Sequence, residues 1–166
     1  MSKSSAKIAG IRIETWYKAL HVVFACAWFG AVLSVVLIYL FAKIYPQEFS
    51  LTASGRLIEK IDHFIIIPSS VACFLSGLLI SWKTNWGFFK YKWIVSKLFL
   101  GSASILFGIL FLGPWILQSA KAIETDYSSY AQLQDKLGIS MIVQAFFILV
   151  VLLISTLKPW GKTKWN

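Results

Sequence analysis

The chain has 166 residues, of which 58% are hydrophobic and only 14% are charged, and its mean hydropathy is +0.72. Soluble domains carry about 25% charged and about 45–50% apolar residues, so this composition excludes a soluble enzyme, a disordered segment and a basic nucleic-acid-binding protein. Sixteen Lys and Arg against seven Asp and Glu give a formal net charge of +9. Because these basic residues lie in short segments between apolar runs, we interpret the excess as a signal of membrane orientation.

Four apolar runs are long enough to cross a bilayer as helices, since each is near or above the ~20 residues that span a hydrocarbon core of ~30 Å. The runs are continuous and do not alternate with polar residues, which favours helices over strands. We therefore predict an all-α integral membrane protein, a single domain over residues 1–166 built as a four-transmembrane-helix bundle. The predicted helices cover approximately residues 16–43, 63–82, 93–120 and 137–158.

The segments outside the predicted helices differ in charge. The first connection balances its basic residues with acidic ones, and the third holds more acids than bases, whereas the N-terminal segment, the second connection and the tail are strongly basic. Since basic segments stay on the cytoplasmic side, we predict a protein of the plasma membrane with both termini inside. The basic residues of these three segments are Lys3, Lys7, Arg12 and Lys18, then Lys83, Lys90 and Lys92, and finally Lys158, Lys162 and Lys164.

Two further patterns accompany this topology. Aromatic rings concentrate at membrane boundaries, and apolar spacings in the outer connections indicate helix extensions beyond the membrane or helices on its surface. The boundary aromatics are Trp16, Trp82, Trp86, Trp93 and Trp160 at the inner face, and Tyr45, Trp115 and Tyr127 at the outer face. The spaced apolar residues are Leu57, Ile58 and Ile61 before the second helix, and Tyr130, Leu133 and Leu137 before the fourth.

Two ionisable residues lie inside the apolar runs, where such groups cost several kcal/mol and usually have a functional reason. His21 lies five residues past Trp16 on the first helix, and Lys97 lies four residues past Trp93 on the third. Both helices start at the predicted inner face, so at ~1.5 Å per residue both side chains sit about 6–8 Å beyond an inner tryptophan. We therefore expect His21 and Lys97 to lie at matching depth and to face each other across one pocket.

The helix faces that carry these two residues continue through Trp28 on the first helix and through Gly101 and Ser104 on the third. A stripe of small residues either lets another helix approach closely or leaves room for a flat ligand. Two structural interpretations also remain: Lys97 snorkels to the inner interface, and His21 hydrogen-bonds a neighbouring helix.

Several motifs resemble a group of small membrane proteins that includes the HemJ-type protoporphyrinogen oxidases and the membrane domain of copper-resistance protein D. The tail of the chain is similar to that of a related four-helix integral membrane family of unassigned function, and this resemblance spans all four helices. The motifs are WYKALH at 16–21, AWFG at 27–30, IP at 67–68, SGL at 76–78, KWIVSKL at 92–98 and LKPWGK at 157–162.

The HemJ resemblance implies a haem b site toward the cytoplasmic side, with His21 in the place of the haem-associated histidine and Lys97 in the place of the intramembrane lysine. A neutral imidazole is a common iron ligand, so the implied metal ligands are His21 and Lys97. Lys97 would bind iron as a neutral amine or, alternatively, pair with a haem propionate as a cation. Trp28, Gly101 and Ser104 complete the expected cofactor site.

The expected function is therefore that of a haem-b-binding membrane protein with a redox or haem-handling role. HemJ proteins carry a Leu-Pro-Arg type stretch where this chain has AVLSVVL at 31–37, a departure that counts against a HemJ-like oxidoreductase activity but not against haem binding. The alternative is a cofactor-free accessory or scaffold protein, in which His21 and Lys97 serve packing and snorkelling. The expected partners are the lipid bilayer, a second copy of the chain in a homodimer and a quinone or other electron acceptor, with no nucleic acid.

The second histidine, His63, follows Asp62 at the outer end of the second predicted helix. A distance on the order of 20–30 Å across the membrane separates it from His21, so the two histidines cannot be axial ligands of one haem. We interpret the Asp62–His63 pair as a cap or an ion pair, with a pH switch as the alternative.

Overall fold

A computed structural model describes residues 7–8, 11–84, 87–122 and 126–161. Four of its helical stretches are long and apolar enough to cross a membrane: Ile13–Ile44, Leu51–Lys83, Lys92–Ser119 and Tyr127–Leu157. Two short antiparallel strands, β1 (Lys7–Ile8) and β2 (Ile11–Arg12), precede α1 (Ile13–Ile44). The other elements are α2 (Leu51–Ile61), a first π-helical turn (Asp62–Ile66), α3 (Ile67–Lys83), α4 (Lys92–Phe107), a second π-helical turn (Gly108–Leu112), α5 (Gly113–Ala122) and α6 (Tyr127–Leu157).

Successive helical stretches run in opposite directions, so their ends gather at two ends of the bundle. α1 packs against α3 and α6, and α6 also packs against α4 and α5. The end that holds the starts of α1 and α4 and the ends of α3 and α6 is called the site end below. There the backbone N–H of Lys92 donates to the carbonyl of Gly161 at 3.4 Å. At the opposite end, the far end, the hydroxyl of Tyr130 donates to the carbonyl of Leu51 at 2.8 Å.

The bundle is apolar both inside and outside. Its core contains Val32, Val35 and Met141, each almost fully buried. Large apolar side chains also cover the outer surface, with Phe64 and Phe99 exposed by 69% and 72%. An apolar exterior of this kind is unfavourable in water and favourable against lipid.

The helices begin earlier than predicted. The second helical stretch starts at Leu51 rather than near residue 63, and the fourth starts at Tyr127 rather than near residue 137. The predicted helix extensions are confirmed. Their Ile58, Tyr130 and Leu137 side chains are buried, which shows that both extensions pack on the bundle.

Side chains cap the starts of both extensions. The hydroxyl of Ser50 accepts a hydrogen bond from the backbone N–H of Ala53 at the start of α2. The carboxylate of Asp126 accepts hydrogen bonds from the backbone N–H groups of Ser128 and Ser129 at the start of α6. Such caps satisfy N–H groups that the first helical turn leaves unpaired.

Each π-helical turn ends just before a proline. Pro68 and Pro114 follow the residues whose N–H groups bond five positions back, Ile67 to Asp62 and Gly113 to Gly108. Proline has no N–H to donate to the carbonyl four residues earlier, and its ring clashes with that carbonyl. Widening the preceding turn relieves this clash without ending the helix.

Two glycines allow close helix contacts at the far end. A methyl group on Gly138 of α6 would overlap the ring of Tyr39 on α1, and one on Gly55 of α2 would overlap the hydroxyl of Tyr130 on α6. The ring of Tyr39 also lies beside an ion pair, since its hydroxyl donates to Asp135, which contacts Lys43 at 2.6 Å.

The predicted boundary aromatics differ in their exposure at the site end. The side chains of Trp16, Trp82 and Trp160 are exposed, as expected for rings at a membrane boundary, whereas Trp93 is 7% exposed and packs in the bundle. Trp86 lies outside the described residues.

Candidate functional site

The predicted pair, His21 and Lys97, is in direct contact. Nε2 of His21 on α1 lies 3.1 Å from Nζ of Lys97 on α4. The expectation that the two side chains share a depth and face each other is therefore confirmed. The contact lies toward the site end of the bundle, about two turns into α1 and one turn into α4.

The His21 ring is oriented by α3. Its Nδ1 lies 3.0 Å from the carbonyl oxygen of Cys73 and 3.0 Å from the hydroxyl of Ser76. Ser76 donates its own hydroxyl proton to the same carbonyl at 2.9 Å. Because a carbonyl oxygen can only accept, Nδ1 carries the proton of the neutral ring. Nε2 therefore holds the lone pair and accepts the hydrogen bond from Lys97.

A glycine of α3 makes room for this ring. A methyl group on Gly77 would come within 3.2 Å of Cε1 of His21, which is closer than ordinary van der Waals contact. The absence of a side chain at this position thus lets the imidazole approach α3 closely enough to reach the carbonyl of Cys73.

The amine of Lys97 has a second partner on α6. Its Nζ donates to the hydroxyl of Ser155 at 3.1 Å. In the described part of the chain the ion pairs are Arg12–Glu14 and Lys43–Asp135, and neither involves Lys97. A continuous series of hydrogen bonds therefore links all four helical stretches, from Ser155 through Lys97 and His21 to Cys73.

A cavity of about 350 Å³ lies beside this pair and is called the main cavity below. Its volume lies within the range of about 300–1,000 Å³ of small-molecule sites. The five residues predicted to form the cofactor site all line it: His21, Trp28, Lys97, Gly101 and Ser104.

Gly101 decides between the two interpretations of the small-residue stripe. A methyl group built on Gly101 would meet no atom within 4 Å, so no neighbouring helix packs closely against this position. The missing side chain instead contributes open volume to the main cavity. The stripe on α4 therefore leaves space at this point rather than bringing two helices together.

Two buried polar atoms near the cavities have no hydrogen-bond partner among the described residues: the indole Nε1 of Trp28 and the amide Oε1 of Gln144. Trp28 lines the main cavity, and Gln144 lines a smaller one of about 220 Å³ that shares Ser104 with it. Buried polar atoms are normally paired, and leaving one unpaired costs ~1–3 kcal/mol. A bound molecule or an ordered water at these positions would remove that cost.

The described residues contain no group of three or more His, Cys, Asp or Glu side chains that could hold a metal ion. A site for a bare ion therefore lacks its usual ligands here. Haem differs, because its macrocycle holds the iron and the protein adds only axial ligands such as a single histidine. The donor set of His21 and Lys97 is compatible with that requirement.

His63 lies outside the site, at the far end of the bundle. Its exposed ring packs edge-on against Phe64, with ring centroids 5.2 Å apart. Among the described residues no hydrogen bond or ion-pair contact is found between His63 and Asp62, so the interpretation of this pair as a cap or an ion pair, and the alternative of a pH switch, stay predictions. The separation of His63 from His21 agrees with the sequence analysis.

Three contributions to the site were not assigned from the sequence. Ser155 holds Lys97, Ser76 contacts His21, and Cys73 acts through its backbone carbonyl rather than its thiol, whose Sγ lies 3.9 Å from Nδ1. Ser76 could have been found from the sequence, because it lies one turn after Cys73 on the same helix face. The role of Cys73 could not, because every residue type has a backbone carbonyl that can accept a hydrogen bond.

Comparisons of the chain with protein-family models, with curated proteins and with solved structures found no match. The resemblance to the HemJ-type group therefore stays a prediction. The arguments for function below depend on the geometry of His21, Lys97 and the main cavity.

Proposed function

We propose that this chain is an integral membrane protein whose interior binds haem b, in a redox or haem-handling role. Four long apolar helical stretches and an apolar outer surface support the membrane assignment. The basic connections of the site end support a cytoplasmic location for both termini in the plasma membrane. His21 and Lys97 would then lie in the cytoplasmic half of the bilayer.

The observation that carries the haem proposal is the orientation of His21. Metal-bound histidines usually donate their second ring N–H to a carbonyl or carboxylate, which fixes the tautomer and directs the other nitrogen at the metal. In this site Cys73 supplies the carbonyl, and the unprotonated Nε2 contacts the amine of Lys97, which lines the main cavity together with His21. Haem would supply the redox-active iron there.

Lys97 has to move before both nitrogens can serve one metal. Nε2 and Nζ lie 3.1 Å apart and are joined by a hydrogen bond, so the amine now occupies the imidazole lone pair that a metal would use. When Nζ leaves the imidazole, Lys97 retains Ser155 as a partner and either ligates iron or pairs with a haem propionate. Its long, flexible side chain allows this movement without displacement of α4.

A cofactor-free scaffold remains the second candidate, and one observation favours it. His21 and Lys97 already satisfy each other, and the hydrogen bonds through Cys73 and Ser155 tie four helical stretches together. Polar side chains that bond across helices stabilise membrane bundles by about 0.6 kcal/mol on average. In this function the pair acts as a structural link and the main cavity holds lipid or water.

An absorption spectrum of the detergent-solubilised protein tests the two candidates. Purified from haem-replete cells, the wild type is expected to show a Soret band that shifts on reduction, and His21→Ala is expected to lose it. His63→Ala is the matched control, because it removes the other histidine at the far end and should retain the haem of wild type. A colourless wild type that also fails to bind added haem would leave the scaffold as the function.

A further inference from the structure

A second cavity, of about 210 Å³, adjoins the His21–Lys97 pair at the site end. We call it the lysine cavity, because Lys18 of α1, Lys97 of α4 and Lys158 at the end of α6 all line it. None of its described lining residues is Asp or Glu.

Hydroxyl groups accompany these cations. Ser81 and Ser155 also line the lysine cavity, and Ser81 is buried. Ammonium groups and hydroxyls are both donors, and an oxyanion is the ligand that accepts from both. The lining therefore indicates a site for an anion, and the positive charge of Lys97 inside the bundle gains a counter-ion when that site is filled.

The remaining wall of the lysine cavity is apolar and includes Val22, Ile80 and Leu98. Such a wall suits an anion that carries hydrocarbon. The location of the cavity also suits a lipid. The cavity lies among helix ends, and in a membrane-inserted chain this is the level where lipid headgroups meet the hydrocarbon core. Basic pockets between membrane helices on the cytoplasmic side bind anionic lipid headgroups.

The backbone positions one of the three lysines. Lys158 ends α6 in a left-handed conformation, with φ 47° and ψ 53°, which is uncommon for a residue other than glycine. Its Nζ lies 5.7 Å from the centre of the buried Trp93 ring, which also lines the cavity. This cation–π contact holds the Lys158 side chain beside the cavity.

We propose that the lysine cavity binds the phosphate group of an anionic lipid. The shared chemistry is that of a phosphate oxyanion, for which inorganic phosphate is the other source. The lipid source rests on the proposed membrane insertion, whereas the phosphate site itself does not. Haem binding can be tested separately, because Lys18 and Lys158 line the lysine cavity and not the main cavity, whereas His21 and Lys97 line both.

The test compares wild type with the double variant Lys18→Gln/Lys158→Gln. Both lysines are exposed, and single Lys18→Gln is the fallback if the double variant misfolds. The control is Lys83→Gln/Lys92→Gln, which removes the same charge from the same end. Neither Lys83 nor Lys92 lines the cavity.

Each protein is reconstituted in phosphatidylcholine vesicles containing a minor fraction of phosphatidylglycerol, extracted in detergent, and its bound lipid measured by mass spectrometry. Wild type and control are expected to be enriched in phosphatidylglycerol. The enrichment should fall by about fivefold for each cavity lysine removed. In a second arm, the midpoint temperature of thermal unfolding is measured at increasing concentrations of inorganic phosphate. A midpoint that rises in wild type but not in the double variant, without lipid enrichment, supports the phosphate site with the free ion as its source.

Equal enrichment in wild type and double variant, together with equal phosphate responses, would overturn the proposal. An equal loss in the control would also overturn it, because the effect would then come from overall charge. Extraction of the wild type from membranes by alkaline carbonate would refute membrane insertion and the lipid source, while the phosphate arm would still test the cavity. Haem content measured on the same samples reports the proposed function independently.

Discussion

Nζ of Lys97 lies 3.1 Å from Nε2 of His21, although 76 positions separate the two residues in the chain. The bond has a defined direction, because the carbonyl of Cys73 keeps the ring proton on Nδ1. The lysine is therefore the donor and the imidazole the acceptor. This arrangement leaves one lone pair, that of Nε2, for either the amine or a metal.

The first prediction concerns the strength of this contact. In a double-mutant cycle on the free energy of unfolding in detergent, His21→Ala and Lys97→Met should show a coupling of about 0.5–2 kcal/mol. The reason is that each single change leaves the other polar group without its partner in the bundle. The cycle of His63→Ala with Lys97→Met is the control, and it should be additive within ~0.3–0.5 kcal/mol. Additivity of both cycles would mean that the contact contributes nothing to stability.

The second prediction concerns the main cavity. Gly101→Leu places a side chain in the open space at this position and should lower bound haem several-fold, because ligand and side chain compete for the same volume. The unfolding free energy of the haem-free protein should not fall, since nothing within 4 Å has to move for the first added carbon. Gly101→Ala, which fills much less of the cavity, should retain most of the haem. A strongly destabilised Gly101→Ala would show that the space is not available.

The third prediction separates two glycines by their surroundings. Gly138→Ala should destabilise the bundle by about 1–3 kcal/mol, because the new methyl group overlaps the Tyr39 ring and forces it to move. Gly30→Ala should instead stabilise α1 by about 0.5–1 kcal/mol, because nothing lies within 4 Å of its added carbon and alanine favours a helix. Thermal or chemical unfolding in one detergent measures both. Similar effects of the two changes would contradict the close contact between α1 and α6.

The fourth prediction is a pH dependence at the start of α6. Hydrogen bonds from the hydroxyl and N–H of Ser129, and from the N–H of Ser128, hold the pKa of Asp126 below its ordinary value of 3.8. A carboxylate with a lowered pKa stabilises the folded state above its ordinary pKa, and this contribution disappears as the pH falls through the lowered value. Amide exchange at residues 127–131 should therefore speed up, relative to α6 as a whole, on acidification.

Asp126→Asn provides the matched control, because asparagine caps a helix without titrating. Its amide protection at the same residues should change less with pH than that of wild type. Identical pH profiles for the two proteins would show that Asp126 does not supply the cap in solution.

Much of the architecture could be predicted from residue order. Continuous apolar runs identify helical spans because a bilayer-spanning helix needs a fixed minimum of apolar length. The same arithmetic placed His21 and Lys97 at one depth. The widened turns before Pro68 and Pro114 were not anticipated, because a proline in a helix produces a kink, a break or a wider turn according to its neighbours.

The details of the site could be predicted less well, for a different reason. Ser155 is one of several serines in the apolar runs, and only the packing of α6 against α4 selects it as the partner of Lys97. Cys73 acts through its carbonyl, which any residue type would supply. His63 was placed correctly at the other end of the bundle, yet its contact with Phe64 rather than Asp62 depends on side-chain conformation that sequence spacing does not determine.

The first π-helical turn, Asp62–Ile66, also has a consequence for how insertions and deletions would act on this chain. It already holds a hydrogen bond one residue wider than the surrounding helix, so loss of a single residue there keeps the helices on either side in register by closing the turn to ordinary α-helix, at the cost of the Pro68 ring clash that the wider turn relieves. Loss of one residue between Ser70 and Cys73 cannot be compensated in this way, because that segment is already ordinary α-helix. It would rotate one side of the helix by about 100° relative to the other, turning the Cys73 carbonyl, Ser76 and Gly77 away from the His21 ring or Ile66 away from its buried position. We therefore expect deletion of one residue to be better tolerated in the first π-helical turn than in the part of α3 that contacts His21.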